Sequence, residues 1–112
     1  MHEMDLIDTE ELKAKLDRGD GFKVVMTLGE WEYRTTHIPG SIRVSTVEEA
    51  LEALDPEDEI VLYDSGPTCP ASRTALSILK AHGYERVRRY DGGLEAWAGA
   101  GYPLEGESVD AP

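Results

Sequence analysis

The run Ile60-Val61-Leu62-Tyr63 contains no charged or amide side chain. Successive strand residues face opposite sides, so a strand with one wet face alternates apolar and polar positions. A run that is apolar throughout suits a central parallel strand covered on both faces. Such a strand needs helices above and below it, and the flanking sequence supplies them. Asp8-Thr9-Glu10-Glu11 reads as a helix start, with Asp8 as cap, and Leu12 and Leu16 share one side until Gly19 and Gly21. Phe22–Met26 is β-type and Glu30–Thr35 a short helix. His37-Ile38-Pro39-Gly40-Ser41 is a turn, because Pro39 fixes φ and Gly40 permits a positive one. A short strand at Ile42–Val44 and a helix over Thr46–Leu54 follow, broken by Asp55-Pro56-Glu57-Asp58.

Beyond the strand Glu59–Tyr63, a loop leads to a helix over Pro70–His82, with proline in its first turn and a stripe of Ala75, Leu76, Ile78 and Leu79. Arg86–Tyr90 is a strand, Asp91-Gly92-Gly93 a turn, and Leu94–Ala100 a last helix stopped by Gly101 and Pro103. Strands alternating with helices give an α/β fold with a mostly parallel sheet. At 112 residues the chain makes one domain, 1–112, with a core over about 5–105 and a polar tail at 106–112 that frays.

Lysine and arginine number 11 against 23 aspartates and glutamates, a formal net charge of −12. That balance excludes nucleic acid and anionic membranes as natural partners, since phosphate contacts need clustered cations. No segment approaches the ~20 apolar residues of a membrane span, and the N-terminus is polar and acidic rather than leader-like. The expected location is the cytoplasm. The single cysteine, Cys69, can form neither an internal disulfide nor a cysteine zinc site, and His2, His37 and His82 lack ligand spacing, so no metal is expected.

In open α/β sheets, ligands bind beyond the carboxyl ends of the strands. The loop there is Asp64-Ser65-Gly66-Pro67-Thr68-Cys69-Pro70, running into Ala71-Ser72-Arg73. Gly66 lets the chain curl, and free N–H groups at the helix start favour anions. Ser65, Thr68 and Ser72 add hydroxyls, and Arg73 supplies a cation. Cys69 lies beside that helix start, where a thiolate is stabilised. It reads either as a nucleophile or as a small hydrophobe packing the loop.

Three segments together resemble the rhodanese-like family: Tyr33-x-x-x-His37-Ile38-Pro39-Gly40-Ser41-Ile42; the apolar strand with its loop and a helix ending at Gly83-Tyr84; and Tyr90-x-Gly92-Gly93-Leu94-x-x-Trp97 with Gly101-x-Pro103. The resemblance implies an open, mostly parallel five-stranded sheet with helices on both faces, in three layers. It implies sulfane-sulfur transfer from a donor anion such as thiosulfate to a thiol acceptor, through a cysteine persulfide and without cofactor. His37, Pro39, Gly40, Gly92, Gly93 and Trp97 then belong to the structural motifs, and Ser65, Gly66, Pro67, Thr68, Ser72 and Arg73 to the substrate loop.

Two departures stand out. The family's catalytic cysteine directly follows the strand, and that position is Asp64, which cannot carry sulfur and opposes an anion. The loop is also longer than usual, and Met26 and Leu28 stand where an Asp and an Arg are common. Two mechanisms stay open. In one, Cys69 is the working thiol with Arg73 binding the donor. In the other, the domain is inactive and binds a partner protein or small ligand. Phosphatase chemistry is excluded, since the arginine needed five residues beyond the cysteine would fall at Ala75. Trp31 and Trp97 are expected in or near the core. Arg86 and Arg88 share one strand face and Arg89 the other, placed to ion-pair with acidic helices or to dock an acidic partner.

Overall fold

The computed structural model describes residues 6–44 and 46–107. Its elements run α1 (Thr9–Arg18), β1 (Lys23–Met26), α2 (Glu30–Thr35), β2 (Ile42–Arg43), α3 (Val47–Ala53), β3 (Ile60–Tyr63), α4 (Ala71–Ala81), β4 (Val87–Tyr90) and α5 (Gly93–Gly99). The four strands lie in the order β2-β1-β3-β4, and every pairing is parallel. The apolar run is β3, central and buried at all four positions.

Alternation along the strands divides the core in two. Val25, Ile60, Leu62 and Val87 meet Leu76 and Leu79 of α4 and Ala50 of α3 on one face. Val24, Met26, Val61, Tyr63 and Tyr90 meet Leu12 of α1 and Trp97 of α5 on the other. Helices on both faces give the three expected layers.

Among the described residues the sheet has four strands rather than the expected five. Beyond β4, the described residues add a single parallel bridge between Leu6 and Arg89, with the Ile7 amide donating to the Arg89 carbonyl at 3.1 Å. It cannot lengthen forward, because Asp8 already caps α1, its carboxylate accepting the Glu11 N–H at 2.8 Å. Residues 1–5 lie outside the described residues.

The start of the expected tail is held. His37 and Glu105 exchange backbone bonds of 2.8 and 2.9 Å, and the Glu107 amide donates to the Arg34 carbonyl at 2.8 Å. Residues 108–112 lie outside the described set. Trp31, expected in or near the core, is instead 73% exposed on α2. The six-residue helix is too short for a full buried stripe, and none of its residues is buried. Arg88 pairs with Glu11 at 3.0 Å, so it ties β4 to α1. Arg89 is buried instead, on the α4 side beside Leu62.

Candidate functional site

Register levels the sheet at its carboxyl end: Met26 pairs with Tyr63, and Tyr63 with Tyr90. The segments after β1, β3 and β4 therefore emerge side by side. The β3 and β4 segments meet around Asp64, and the amide of Thr27, after β1, donates to the Tyr63 carbonyl beside it at 3.0 Å.

Asp64 directly follows β3 and is fully buried. Its carboxylate turns back into its own loop. Oδ1 accepts the Gly66 N–H at 3.2 Å and Oδ2 accepts the Ser72 N–H at 2.8 Å. The first turn of α4 has an unpaired amide to offer here, and the negative side chain satisfies both it and the helix dipole. The Asp64 carboxylate thus occupies one helix-start amide, that of Ser72, where an anion was expected, and the loop amide of Gly66 as well.

The turn after β4 closes over the same loop. The Leu94 amide donates to the Asp64 carbonyl at 3.0 Å and the Glu95 amide to the Ser65 carbonyl at 2.9 Å. Gly93 permits this approach. Its φ is +62°, and a Cβ there would meet Asp64 O at 2.5 Å and Gly66 N at 2.7 Å. A Cβ on Gly66 would in turn lie 2.9 Å from Glu95 Oε2, so a second carboxylate flanks the loop. Glu95 was not foreseen. Its only signal in the sequence was its place two residues beyond Gly93.

Cys69 is half-buried, and its amide donates to the Gly66 carbonyl at 3.1 Å, closing a turn before Pro70. Among the described residues its Sγ makes no hydrogen bond. Ser65, Pro67 and Thr68 are exposed on the loop. Ser72 is fully buried, and among the described residues its hydroxyl has no hydrogen-bond partner, nor has the buried Arg89 Nε. Arg73 is exposed and makes no ion pair among the described residues. Met26 and Leu28 pack with the α1/α5-side core.

The His37 turn is a buttress. Tyr63 accepts the Ile38 N–H at 3.0 Å on its hydroxyl, which also bonds Ser41 Oγ at 2.9 Å; Ser41 in turn donates to the Ile38 carbonyl at 2.7 Å. Burial pushes the Tyr63 phenol up to about 12, against the opposing pull of the Ser41 and Ile38 hydrogen bonds. Tyr33 donates to the Ser41 carbonyl at 2.6 Å and stacks on the His37 ring at 3.9 Å between centroids. His37 Nδ1 lies 2.7 Å from the Tyr33 carbonyl. Pro39 and Gly40 complete the turn, Gly40 at φ +84°. Trp97 is buried, and its indole N–H donates to the Pro103 carbonyl at 2.7 Å. These motif residues hold the frame; none reaches the loop's polar groups except through Gly93. Among the described residues no trio of His, Cys, Asp or Glu is placed to hold a metal, and no helix is long and apolar enough to cross a membrane.

Residues 8–100 match the family described as rhodanese-like domain. Solved structures agree. A Bacillus halodurans protein is 26% identical over 98% of this chain and 84% of its own, with a TM-score of 0.87. The rhodanese-like domain of an Anabaena protein is 27% identical over 100% of this chain and 85% of its own, also at 0.87. A thiosulfate sulfurtransferase from Pseudomonas aeruginosa is 28% identical with a TM-score of 0.73, over 93% of this chain but 21% of that one. No curated protein matches.

Proposed function

The chain belongs to the rhodanese-like domain family, and from that premise we propose that it acts as a binding module of this fold whose loop is closed to sulfur transfer by Asp64. The observation that carries the reading is the buried carboxylate accepting the N–H groups of Gly66 and Ser72. A dianionic donor needs such amides. It would have to displace a charge that is already bonded to them, with Glu95 as a second negative group beside the loop. Arg73, exposed, offsets little of this in water.

A second reading keeps the activity and rests on Cys69, which is half-buried rather than sealed. In it, the thiolate attacks the outer sulfur of thiosulfate. The S–S bond breaks, sulfite leaves with the electron pair, and the persulfide gives its sulfur to an acceptor thiolate. The Pseudomonas aeruginosa neighbour, named for this reaction, lends it support. A reducing compartment such as the cytoplasm suits either reading, because the lone cysteine has no internal disulfide partner.

Sulfur transfer from thiosulfate to cyanide separates the two. The binding-module reading expects turnover at the uncatalysed background for the wild type and for Cys69→Ser alike. Turnover that disappears in Cys69→Ser would establish the second reading.

A further inference from the structure

Three buried polar side chains gather on the α4 face of the sheet at its carboxyl end. Leu62 lies on that face, and Arg89 is its partner in β4. Asp64, two residues beyond Leu62, points the same way, since its Oδ2 accepts the Ser72 N–H of α4. Ser72 shares the buried stripe of α4 with Leu76 and Leu79. With about 4.8 Å between strands and about 3.3 Å of rise per residue, the Asp64 and Arg89 Cα atoms stand about 8 Å apart, a gap that an arginine and an aspartate side chain together span.

All three are sealed from water: Asp64 and Ser72 are 0% exposed and Arg89 3%. Only the carboxylate has partners. Among the described residues Ser72 Oγ and Arg89 Nε make no hydrogen bond, and Arg89 makes no ion pair. An uncompensated buried guanidinium is strongly unfavourable, and buried donors are almost always met by acceptors. Acceptor capacity is at hand, because an ionised carboxylate has about four lone-pair sites and Asp64 uses two. One carboxylate therefore faces two sets of donors. The Gly66 and Ser72 amides hold it; the Ser72 hydroxyl and Arg89 Nε–H are without an acceptor.

We infer that Asp64 is a two-position plug: its carboxylate turns from the loop amides to Ser72 Oγ and Arg89 Nε, and that turn admits a small inorganic oxyanion to the Gly66 and Ser72 N–H groups. The inference rests on the closed-loop reading above and adds how the loop opens. The helix dipole and two amide bonds favour the first position. A charge-assisted bond, and relief of the unpaired guanidinium, favour the second. An incoming anion shifts the balance, because it takes the amides that Asp64 gives up and so binds the turned state alone. No covalent bond changes and no proton moves.

The test titrates the ¹⁵N-labelled full chain with sodium sulfate, against sodium chloride at equal ionic strength, and follows the Gly66 and Ser72 amides. The wild type should show saturable shifts at both that chloride does not produce. Asp64→Ala, which has no plug, should bind sulfate more tightly. Arg89→Met and Ser72→Ala each weaken the second position and keep the loop amides. With Asp64 present, Arg89→Met should weaken sulfate binding at least about tenfold, the worth of one hydrogen bond to a charged group. Ser72→Ala, which loses only an unpaired hydroxyl, should weaken it about threefold and tests the second position independently of Arg89. In the Asp64→Ala background, Arg89→Met should change the affinity by less than about threefold. Circular dichroism checks that each variant is folded. Equal losses from Arg89→Met in both backgrounds would overturn the inference, since Arg89 would then hold the anion itself. So would a wild type without sulfate shifts where Asp64→Ala shows them: the plug is then fixed, and the closed-loop reading stands alone. Sulfate binding no tighter in Asp64→Ala than in the wild type would overturn the closed-loop reading and the inference with it.

Discussion

Replacing Gly93 with alanine tests whether the α5 turn truly seats the loop. The position combines two demands: a φ of +62° and a Cβ that would sit 2.5 Å from Asp64 O and 2.8 Å from Ser65 C. A left-handed backbone costs a non-glycine residue roughly 1–2 kcal/mol. The clash is with backbone, so it is relieved only by moving α5 off the loop. That movement breaks the bonds from the Leu94 and Glu95 amides to Asp64 O and Ser65 O, at roughly 0.5–1.5 kcal/mol each. The sum is about 3 kcal/mol, which for a domain of this size lowers Tm by on the order of 12 °C. Gly19→Ala is the control. Its φ is +73°, but nothing lies within 4 Å of the added Cβ, so it carries the backbone cost alone, about 1 kcal/mol. Urea unfolding followed by Trp97 fluorescence reads both, because Trp97 is buried and Trp31, already 73% exposed, adds a constant background. Equal losses in the two variants would refute the claim that the Gly93 turn holds the loop.

Other consequences are more local. Tyr63→Phe leaves the buried Ile38 N–H without its acceptor and should cost about 1–3 kcal/mol at neutral pH. The wild type should lose roughly 2–3 kcal/mol as pH rises from about 10 to about 12, because burial holds the Tyr63 phenol protonated in the folded state while the unfolded chain ionises first. Tyr63→Phe should flatten that alkaline fall in denaturant-melt stability, and an unchanged fall would point elsewhere. Asp64→Ala should destabilise by about 1–3 kcal/mol through the orphaned Gly66 and Ser72 amides, and Asp64→Asn by less, since its carbonyl still accepts one of them.

Much of the frame was legible in the chain because local chemistry agreed with global placement. The unbroken Ile60–Tyr63 run became a strand buried at every position, and Asp8 capped the helix that its spacing implied. The Gly92-Gly93 pair read as a turn, and its positive φ at Gly93 is what lets α5 touch the loop. Other features needed three dimensions. Ser72 reads as a hydroxyl donor of the loop, yet its backbone amide does the bonding while its hydroxyl is buried without a partner among the described residues. Proximity in sequence places Arg73 at an anion cradle; one position along a helix swings a side chain by over a quarter turn, and Arg73 is exposed with no ion pair among the described residues. Among the described residues only the Leu6–Arg89 bridge stands beside β4, because the Asp8 cap begins a helix two residues later.

The central claim is that Asp64 fills the site that a sulfur-carrying thiol would use. Intact-mass measurement after incubation with thiosulfate tests it directly, on the wild type and on Asp64→Cys. The wild type should keep its mass. Asp64→Cys should gain about 32 Da, one sulfur, mapped to residue 64, because the substitution supplies a thiol and frees the Gly66 and Ser72 amides together. A gain on Cys69 in the wild type, or none in Asp64→Cys, would contradict the account.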